Sequence, residues 1–303
     1  MRKALGRQLA EIYARNPRHH LFCGDIGVGV FDDLRATTPD QFHNFGISEQ
    51  HMVSFASAFS LTMQATSLVY TINPFITSRV HDQLRVDVAY AKAPLVVCSV
   101  GAGFAYDNLG FTHFGLEDLA LVGALPNMRI LTPSEPDDVS NLLDDLFAVE
   151  ALSRPAYLRL QKGGEPSRKR QFEDFVDFDG YRRWRGSDVE IVTHGAITEE
   201  ALRARATLAG ELSVAVTTVI DWDAYAAARP RLGERLLFVE EHRNTGLLAH
   251  RLLHRGLRAT VFEIGCVENS EFSNCTLRGA ALRANRLDAV SLTERLRALA
   301  TTK

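Results

Sequence analysis

The amino-acid sequence predicts an α/β protein with two parallel-sheet α/β domains. Short apolar runs rich in β-branched residues alternate with longer amphipathic segments, which is the pattern of parallel strands covered by helices. The alternation stops once, at a polar stretch that contains Gly163, Gly164 and Pro166, and it then resumes. A chain of 303 residues also has the length of roughly two ordinary domains.

The first half of the chain carries the more regular alternation. Its clearest boundary is the start of a helix near Glu135, because Ser134 offers a cap, Pro136 suits the first turn and Asp137 favours the positive end of the helix dipole. The predicted strands cover residues 20–24, 67–70, 95–99, 128–132 and 156–160, and the predicted helices cover 49–63, 77–91 and 135–148.

The second half repeats the alternation in a smaller domain. Its predicted strands cover residues 189–193, 214–220, 236–240 and 259–264, and its predicted helices cover 198–209, 246–257 and 291–300. We therefore expect a first domain over 1–164 and a second over 181–303. Residues 165–180 have no clean helical period, so they are expected to form a linker on the surface.

Composition narrows the possible functions. The net charge is only −3, with 34 basic and 37 acidic residues, so we expect neither a nucleic-acid surface nor a membrane surface. No segment approaches the roughly 18 apolar residues that a membrane span needs, and the basic N-terminus is not followed by a signal-peptide core. The four cysteines lack CxxC spacing, which predicts reduced thiols, no metal site in this chain, and a cytoplasmic protein.

The segment from Asn44 to Met52 is the most informative for chemistry. Glu49 begins a helix whose following residues are apolar on most sides, which places its carboxyl group at the edge of a low-dielectric region. An acidic residue in a first helical turn is also a common cap that complements the helix dipole. The sequence of this helix alone leaves both interpretations open.

The surrounding residues resemble a known family motif. Gly46-Ile47-Ser48-Glu49-Gln50, preceded by a strand that carries Gly24 and Asp25, resembles the glycine-φ-x-glutamate-glutamine motif of the transketolase family. That family includes deoxyxylulose phosphate synthases and the β chains of 2-oxoacid dehydrogenase first components. In these enzymes the glutamate holds N1′ of the thiamine aminopyrimidine. The resemblance implies that Glu49 is a catalytic and cofactor-binding residue and that Asp25 also binds the cofactor.

A carboxyl group suits this position for a chemical reason. Thiamine catalysis requires that a proton leave C2 of the thiazolium ring, and the cofactor's own 4′-imino group removes it. A carboxyl group hydrogen-bonded to N1′ favours the imino tautomer, and desolvation favours the protonated, donating form of that carboxyl group. Glutamine in the same place could hydrogen-bond but could not exchange the proton.

Two further segments are similar to the same family. The run from Tyr70 to Phe75 is similar to the segment whose aromatic residue stacks on the aminopyrimidine, and we assign that role to Phe75, although a core phenylalanine fits the spacing equally well. The glycine-rich loop from Gly101 to His113 is similar to a family loop that ends in Thr-His. The resemblance implies that His113 polarises a substrate hydroxyl group or moves protons, whereas a histidine in an isolated loop is usually ordinary surface.

One family motif is missing from this chain. The family binds the diphosphate through a metal held by a Gly-Asp-Gly motif, and here Ile26 follows Gly24-Asp25 in place of the second glycine. The resemblance therefore implies a separate diphosphate-binding subunit that holds most of the Mg²⁺ (or Ca²⁺) ligands. We expect thiamine diphosphate as cofactor, an α2β2 heterotetramer, and no activity from this chain alone. The two domains would be the pyrimidine-binding domain and the C-terminal domain of a split transketolase.

Departures from the family pattern bear on the substrate. Leu109 stands where phosphosugar transketolases have an aspartate, and Lys162 stands where they have a phosphate-binding arginine. We therefore hypothesise transfer of a two-carbon ketol or acyl unit from an uncommon ketose or a 2-oxoacid to an aldehyde acceptor. Two alternatives remain at this stage. One is the β subunit of a 2-oxoacid or acetoin dehydrogenase first component, and the other is a homologue that kept the fold without the chemistry.

Overall fold

The computed structural model describes residues 1–163, 174–243, 247–254, 259–268 and 277–302. These residues divide into two compact units, and each unit contains segments from more than one part of the chain. The first unit comprises the described residues of Met1–Ala102, Glu117–Leu131 and Glu135–Pro166, and the second comprises those of Gly103–Leu116, Thr132–Ser134 and Ser167–Lys303.

The first unit is built on a parallel sheet. Its strands are β1 (Leu21–Cys23), β2 (Phe42–Asn44), β3 (Ser67–Ile72), β4 (Leu95–Val100), β5 (Arg129–Leu131) and β6 (Ala156–Leu160). Their order is β2-β1-β3-β4-β6-β5, and every neighbouring pair is parallel. The central strands β3 and β4 are buried at every residue, as expected for a parallel sheet that is covered on both faces.

The helices of the first unit begin where the sequence offers start signals. The strongest case is the predicted helix near residue 135, where Glu135 and Asp138 form a capping box and Pro136 occupies the first position. The helices are α1 (Arg2–Arg15), α2 (Asp32–Thr37), α3 (Glu49–Met63), α4 (Asn73–Ile76), α5 (His81–Gln83), a π-helix (Leu84–Tyr90), α6 (Asp118–Gly123) and α7 (Pro136–Leu146).

The helix predicted over residues 77–91 is wrong in its first part. The chain forms α4 earlier, then a turn over residues 77–80, then α5 and the π-helix. The hydroxyl groups of Thr77 and Ser78 donate to the carbonyl oxygens of Asn73 and Pro74, at 2.7 and 2.9 Å. Such side-chain bonds compete with helical backbone bonds, which accounts for the interruption.

The second unit has a mostly parallel sheet. Its strands are β7 (Phe175–Phe178), β8 (Tyr181–Trp184), β9 (Val189–His194), β10 (Val214–Val219), β11 (Arg235–Arg243) and β12 (Val261–Val267), and its helices are α8 (Thr198–Thr207), α9 (Trp222–Ala228), α10 (Leu247–His254), α11 (Arg278–Ala284) and α12 (Ala289–Thr301). The strand order is β12-β11-β9-β10-β8-β7, with β7 and β8 antiparallel to their neighbours. The predicted class, two α/β domains built on parallel sheets, is confirmed apart from these two strands.

Part of the predicted linker is a strand. Phe178 pairs with Tyr181 across a two-residue Asp179-Gly180 turn, and Gly180 has a φ of +79°. Asp-Gly between two apolar runs is a strong hairpin signal, and it was available in the sequence. Residues 164–173 of the predicted linker lie outside the described residues. The domain boundaries drawn from the sequence stay predictions.

The loop between β4 and α6 packs into the core of the second unit. Phe104, Phe114 and Leu116 are buried there beside residues such as Trp184 and Ile191. The rings of Phe104 and Phe114 meet edge to face, with their centroids 5.1 Å apart. The residues that were predicted to form an active-site loop are therefore held through their apolar side chains.

Within the described ranges, the helices are all too short or too polar to span a membrane.

Candidate active site

The start of α3 places a carboxyl group in a buried position. Glu49 is the first residue of α3 and is only 4% exposed. The N-cap residue Ser48 makes no side-chain capping bond, because its hydroxyl group donates instead to the carbonyl oxygen of Phe45 at 2.6 Å. The carboxylate of Glu49 is bound by a cation from another part of the unit.

That cation is Arg79. One guanidinium nitrogen of Arg79 lies 3.1 and 3.0 Å from the two carboxylate oxygens of Glu49. The side chain of Arg79 is 44% exposed and that of Glu49 is 5% exposed, so the arginine lies between the buried carboxylate and solvent. Sequence reasoning missed Arg79, since nothing local to residue 79 indicates a contact with residue 49.

The same guanidinium group also contacts Phe75. Its central carbon lies 4.0 Å from the centroid of the Phe75 ring, which is the geometry of a cation–π contact. Phe75 is half-buried in α4. The structure thus brings two predicted site residues, Glu49 and Phe75, to the two sides of one side chain.

A small cradle adjoins the carboxyl group. A methyl group placed on Gly24 would lie 3.2 Å from Cβ and Oγ1 of Thr71 and 3.6 Å from Cγ of Glu49. Thr71 is fully buried, and among the described residues its hydroxyl group has no hydrogen-bond partner. Buried hydroxyl groups are normally paired, so an orphaned one beside a buried carboxylate is a place for a polar ligand. The Glu49 carboxylate and the Phe75 ring, which contact one flat guanidinium group, fit a flat, hydrogen-bonding ring such as an aminopyrimidine.

Asp25 is exposed and bonded within a turn. Its backbone N–H donates to Oδ1 of Asn44 at 3.1 Å, and the amide of Asn44 donates back to Oδ1 of Asp25 at 3.2 Å. Asp25 has a φ of +52°, and Oδ1 of Asn44 also accepts from the backbone of Gly46. Asp25 therefore joins the end of β1 to the glycine that precedes Glu49.

A buried polar network lies among β3, β4, β6 and α6. The carboxylate of Asp118 accepts from Arg159 at 2.7 and 3.3 Å and from the hydroxyl group of Tyr157 at 2.6 Å, and all three residues are buried. Burial and the nearby Asp118 carboxylate raise the pKa of Tyr157 well above its usual value. Tyr157 further contacts Ser99 and Asn73, the residue that follows β3. Nothing local to Arg159 in the sequence indicates its carboxylate partner.

His113 belongs to the second unit, whereas Glu49 and Phe75 belong to the first. It ends a short 3-10 helix, Phe111–His113, and its Nδ1 lies 2.8 Å from the hydroxyl oxygen of Thr112. The ring of Tyr106 is 5.9 Å away, centroid to centroid. Leu109, which departs from the family pattern, lies in the same loop and is 44% exposed.

The loop that carries His113 is held by a glutamate and an arginine. Oε1 of Glu241 accepts from the backbone N–H of Phe104 at 2.9 Å, and Arg278 donates to both carboxylate oxygens of Glu241 at 3.0 and 2.6 Å. Arg278 also donates its backbone N–H to Asp107 at 2.9 Å. Gly103 is required at the contact, since a methyl group there would lie 2.4 Å from the Glu241 carboxyl carbon.

Among the described residues, no group of three or more His, Cys, Asp and Glu side chains is arranged to hold a metal ion.

Comparison with known proteins assigns the family. The model of the transketolase pyrimidine-binding domain matches residues 1–165. The chain belongs to the transketolase family. The match includes Gly24, Asp25, Glu49, Thr71 and Phe75, and it ends close to the predicted first-domain boundary.

Individual relatives fall into two groups. The chain is 33% identical over 208 residues to 1-deoxy-D-xylulose-5-phosphate synthase of Thermomicrobium roseum, covering 67% of this chain and 32% of that protein. It is 29% identical over 185 residues to a subunit of the apulose-4-phosphate transketolase of Actinobacillus succinogenes, covering 60% of this chain and 57% of that one. The matched part of this transketolase-family chain thus spans about a third of the length of the synthase and rather more than half of the length of the transketolase subunit.

A solved structure matches nearly the whole fold. The structure described as "Split gene transketolase, inactive beta4 tetramer" superposes with a TM-score of 0.79 at 25% identity, covering 99% of this chain and 97% of that one. The paired α/β architecture is therefore that of a transketolase.

Proposed function

We propose that this chain is the pyrimidine-binding subunit of a two-component, thiamine-diphosphate-dependent transketolase-type enzyme. The reaction transfers a two-carbon ketol or acyl unit from a ketose or 2-oxoacid donor to an aldehyde acceptor. The observation that carries the proposal is that the buried Glu49 carboxylate and the Phe75 ring contact the same flat guanidinium group of Arg79, one by hydrogen bonds and the other by its ring face. Membership of the transketolase family supports it independently.

In this proposal the chain's own residues bind and orient the aminopyrimidine. Glu49 would hydrogen-bond N1′ from its buried position at the start of α3. Phe75 would offer a ring face, and Asp25 would fix the turn that leads to Glu49. When bound, thiamine diphosphate supplies a nucleophilic carbon that accepts and passes on the two-carbon unit.

His113 is proposed to handle substrate protons. Its imidazole ring is half-buried on a loop, and the Thr112 hydroxyl group contacts Nδ1. A neutral imidazole ring can both donate and accept a hydrogen bond, which is what the proposed role at a substrate hydroxyl group needs.

A separate subunit is proposed to bind the diphosphate and most of the ligands of the magnesium ion. The relative named as a subunit of apulose-4-phosphate transketolase and the structure described as a split-gene transketolase support this arrangement. The proposed assembly is an α2β2 heterotetramer in the cytoplasm. The described cysteines, Cys23, Cys98 and Cys266, are all unpaired, which suits a reducing compartment.

The substrates are proposed to differ from those of phosphosugar transketolases. Lys162 offers a phosphate group a point charge rather than the bidentate contact of an arginine. Its carbonyl oxygen accepts from the side chain of Arg2 at 2.8 Å. An unphosphorylated acceptor, a 2-oxoacid or an uncommon ketose would need no bidentate phosphate contact here.

The test is a reconstitution. This chain is co-purified with a candidate diphosphate-binding subunit, and cleavage of ketose and 2-oxoacid donors is measured with thiamine diphosphate and magnesium. The test variant is Glu49→Gln. The matched control is Glu135→Gln, which changes another buried glutamate at the start of a helix, at 1% exposure.

We expect activity only with both chains, a loss of at least about 100-fold in Glu49→Gln, and nearly unchanged activity in Glu135→Gln. Activity from this chain alone would refute the two-component arrangement. Equal activity of Glu49→Gln and Glu135→Gln would refute the cofactor assignment.

A further inference from the structure

The guanidinium group of Arg79 makes both contacts that the proposed function assigns to the aminopyrimidine. It hydrogen-bonds the Glu49 carboxylate at 3.1 and 3.0 Å, and it lies over the Phe75 ring at 4.0 Å. Guanidinium is planar, donates hydrogen bonds in its plane and stacks on aromatic rings. An aminopyrimidine is also planar and has its hydrogen-bonding groups in the ring plane. One flat group therefore stands where another is proposed to bind.

The backbone of Arg79 is fixed while its side chain is free to leave. The Arg79 N–H donates to the carbonyl oxygen of Pro74 at 3.1 Å, and the Arg79 carbonyl oxygen accepts from the Gln50 side chain at 3.3 Å. The side chain is 44% exposed. Rotation about its own bonds can carry the guanidinium group into solvent without moving the helices on either side.

We propose that Arg79 is a placeholder, which occupies the aminopyrimidine position in the cofactor-free chain and swings out when thiamine diphosphate binds. The inference rests on the proposed function, because it takes Glu49 and Phe75 to be the pyrimidine-binding residues. It adds a residue that sets cofactor affinity and that no sequence pattern indicated.

A placeholder has a physical purpose at this position. An ionised carboxylate that is only 5% exposed is costly unless it is paired. Arg79 pairs with Glu49 in the cofactor-free state, and the cofactor replaces Arg79 in the bound state. The exchange has a consequence for affinity, because the fraction of molecules with Arg79 swung out limits the apparent binding constant.

The chain offers a matched control. Arg18 also pairs with a glutamate, Glu150, at 2.6 Å, and its side chain is 45% exposed, compared with 44% for Arg79. Arg18→Met and Arg79→Met therefore remove the same charge at nearly the same exposure from the same unit, while the partner carboxylates differ, since the Glu150 side chain is 50% exposed and the Glu49 side chain is 5% exposed. The two variants differ in the contacts that are lost, because Arg79 contacts Glu49 and Phe75 whereas Arg18 contacts Glu150.

The experiment measures binding of thiamine diphosphate, with magnesium, to the full-length chain. Ligand-observed NMR titration is suitable because it detects millimolar affinity, and the same titration is run on wild type, Arg79→Met, Arg79→Lys, Arg18→Met and Glu49→Gln. We expect Arg79→Met to bind roughly 3- to 10-fold more tightly than wild type, with Arg18→Met unchanged. Arg79→Lys should fall between wild type and Arg79→Met, since lysine keeps the charge but not the planar group. Glu49→Gln should bind more weakly.

The remaining outcomes separate the two proposals. Equal affinity of wild type and Arg79→Met, with weaker binding by Glu49→Gln, would overturn the placeholder and leave the cofactor site standing. Weaker binding by Arg79→Met would also overturn it, because Arg79 would then be a ligand of the cofactor. If no variant binds, Arg79→Met included, the placeholder fails, because removal of Arg79 should make binding to this chain detectable, and the proposed function is then judged by the reconstitution with the second subunit.

Discussion

Arg79 and Glu49 are 30 residues apart in the sequence, and their side chains meet at 3.0 Å. The pair is uneven, because the arginine side chain is 44% exposed and the glutamate side chain is 5% exposed. Solvent reaches the cation and screens its attraction, so the contact contributes little to the stability of the fold. The contact with Arg79 instead decides whether the Glu49 carboxylate is available to a ligand.

Glu49→Gln should therefore change the free energy of unfolding by no more than about 1 kcal/mol. The amide has nearly the shape of the carboxylate, and Arg79 can turn to solvent if the contact is lost. Urea denaturation followed by circular dichroism gives the measurement. A loss of several kcal/mol would show that the pair supports the fold, and the activity of this variant could not then be read as chemistry alone.

Asp118→Ala should destabilise the chain by about 3–5 kcal/mol. The reason is that Arg159, whose side chain is 3% exposed, would lose its carboxylate partner in the interior. The matched control is Asp82→Ala, which breaks an ion pair with Arg85 whose side chains are 71% and 63% exposed. That variant should stay within about 1 kcal/mol of wild type by the same denaturation measurement. Similar losses in the two variants would contradict the importance of burial here.

Gly103→Ala should cost more than Gly210→Ala. Both glycines have positive φ, +61° and +88°, so both alanine variants bear the cost of about 1–2 kcal/mol for a left-handed backbone. A methyl group at Gly210 meets nothing within 4 Å, whereas one at Gly103 would overlap the Glu241 side chain. We expect an additional loss of roughly 1–3 kcal/mol in Gly103→Ala. Hydrogen exchange at the Phe104 N–H should also become faster, and unchanged exchange would argue against the Glu241 clamp.

His20 should make the fold less stable in mild acid. Burial, and then the neighbouring His43, lower the pKa of His20 to about 4 from its usual value of 6.5. The unfolded chain then binds the proton more readily than the folded chain, so stability is lost as the pH falls from 6.5 towards 4. His20→Phe keeps a ring beside Phe59 and cannot be protonated. We expect the stability of this variant to fall less between about pH 7 and about pH 5 than that of wild type, as measured by denaturation at both values. An equal loss of stability in wild type and His20→Phe would contradict the lowered pKa of His20.

The elements that sequence reasoning placed well are those whose signals are local. The helix predicted over residues 49–63 and the strand over 156–160 have the same bounds in the structure. Glycine and serine precede the helix, and an unbroken apolar run marks the strand. The transketolase motif around Glu49 is equally local, which is why the family could be inferred from the sequence.

Contacts between distant residues could not be predicted in this way. Arg79 and Arg159 are ordinary residues in the sequence, and only the fold brings each to its carboxylate. The interruption before the π-helix depends on hydroxyl groups that could equally have pointed to solvent. The hairpin at Asp179-Gly180 is different, because its Asp-Gly signal is local and present in the sequence, although the missing helical period of the same stretch favours a linker.

The loop between β4 and α6 packs in the second unit, and this has a consequence for truncation of the chain. A recombinant fragment that ended at residue 163 would contain Phe104, Phe114 and Leu116 but not the sheet of the second unit against which they pack. Three large apolar side chains would face water, and such patches promote aggregation. The family domain match ends near that residue, yet the end of a sequence match is not a safe site for truncation. A soluble excised domain would need those three positions made polar.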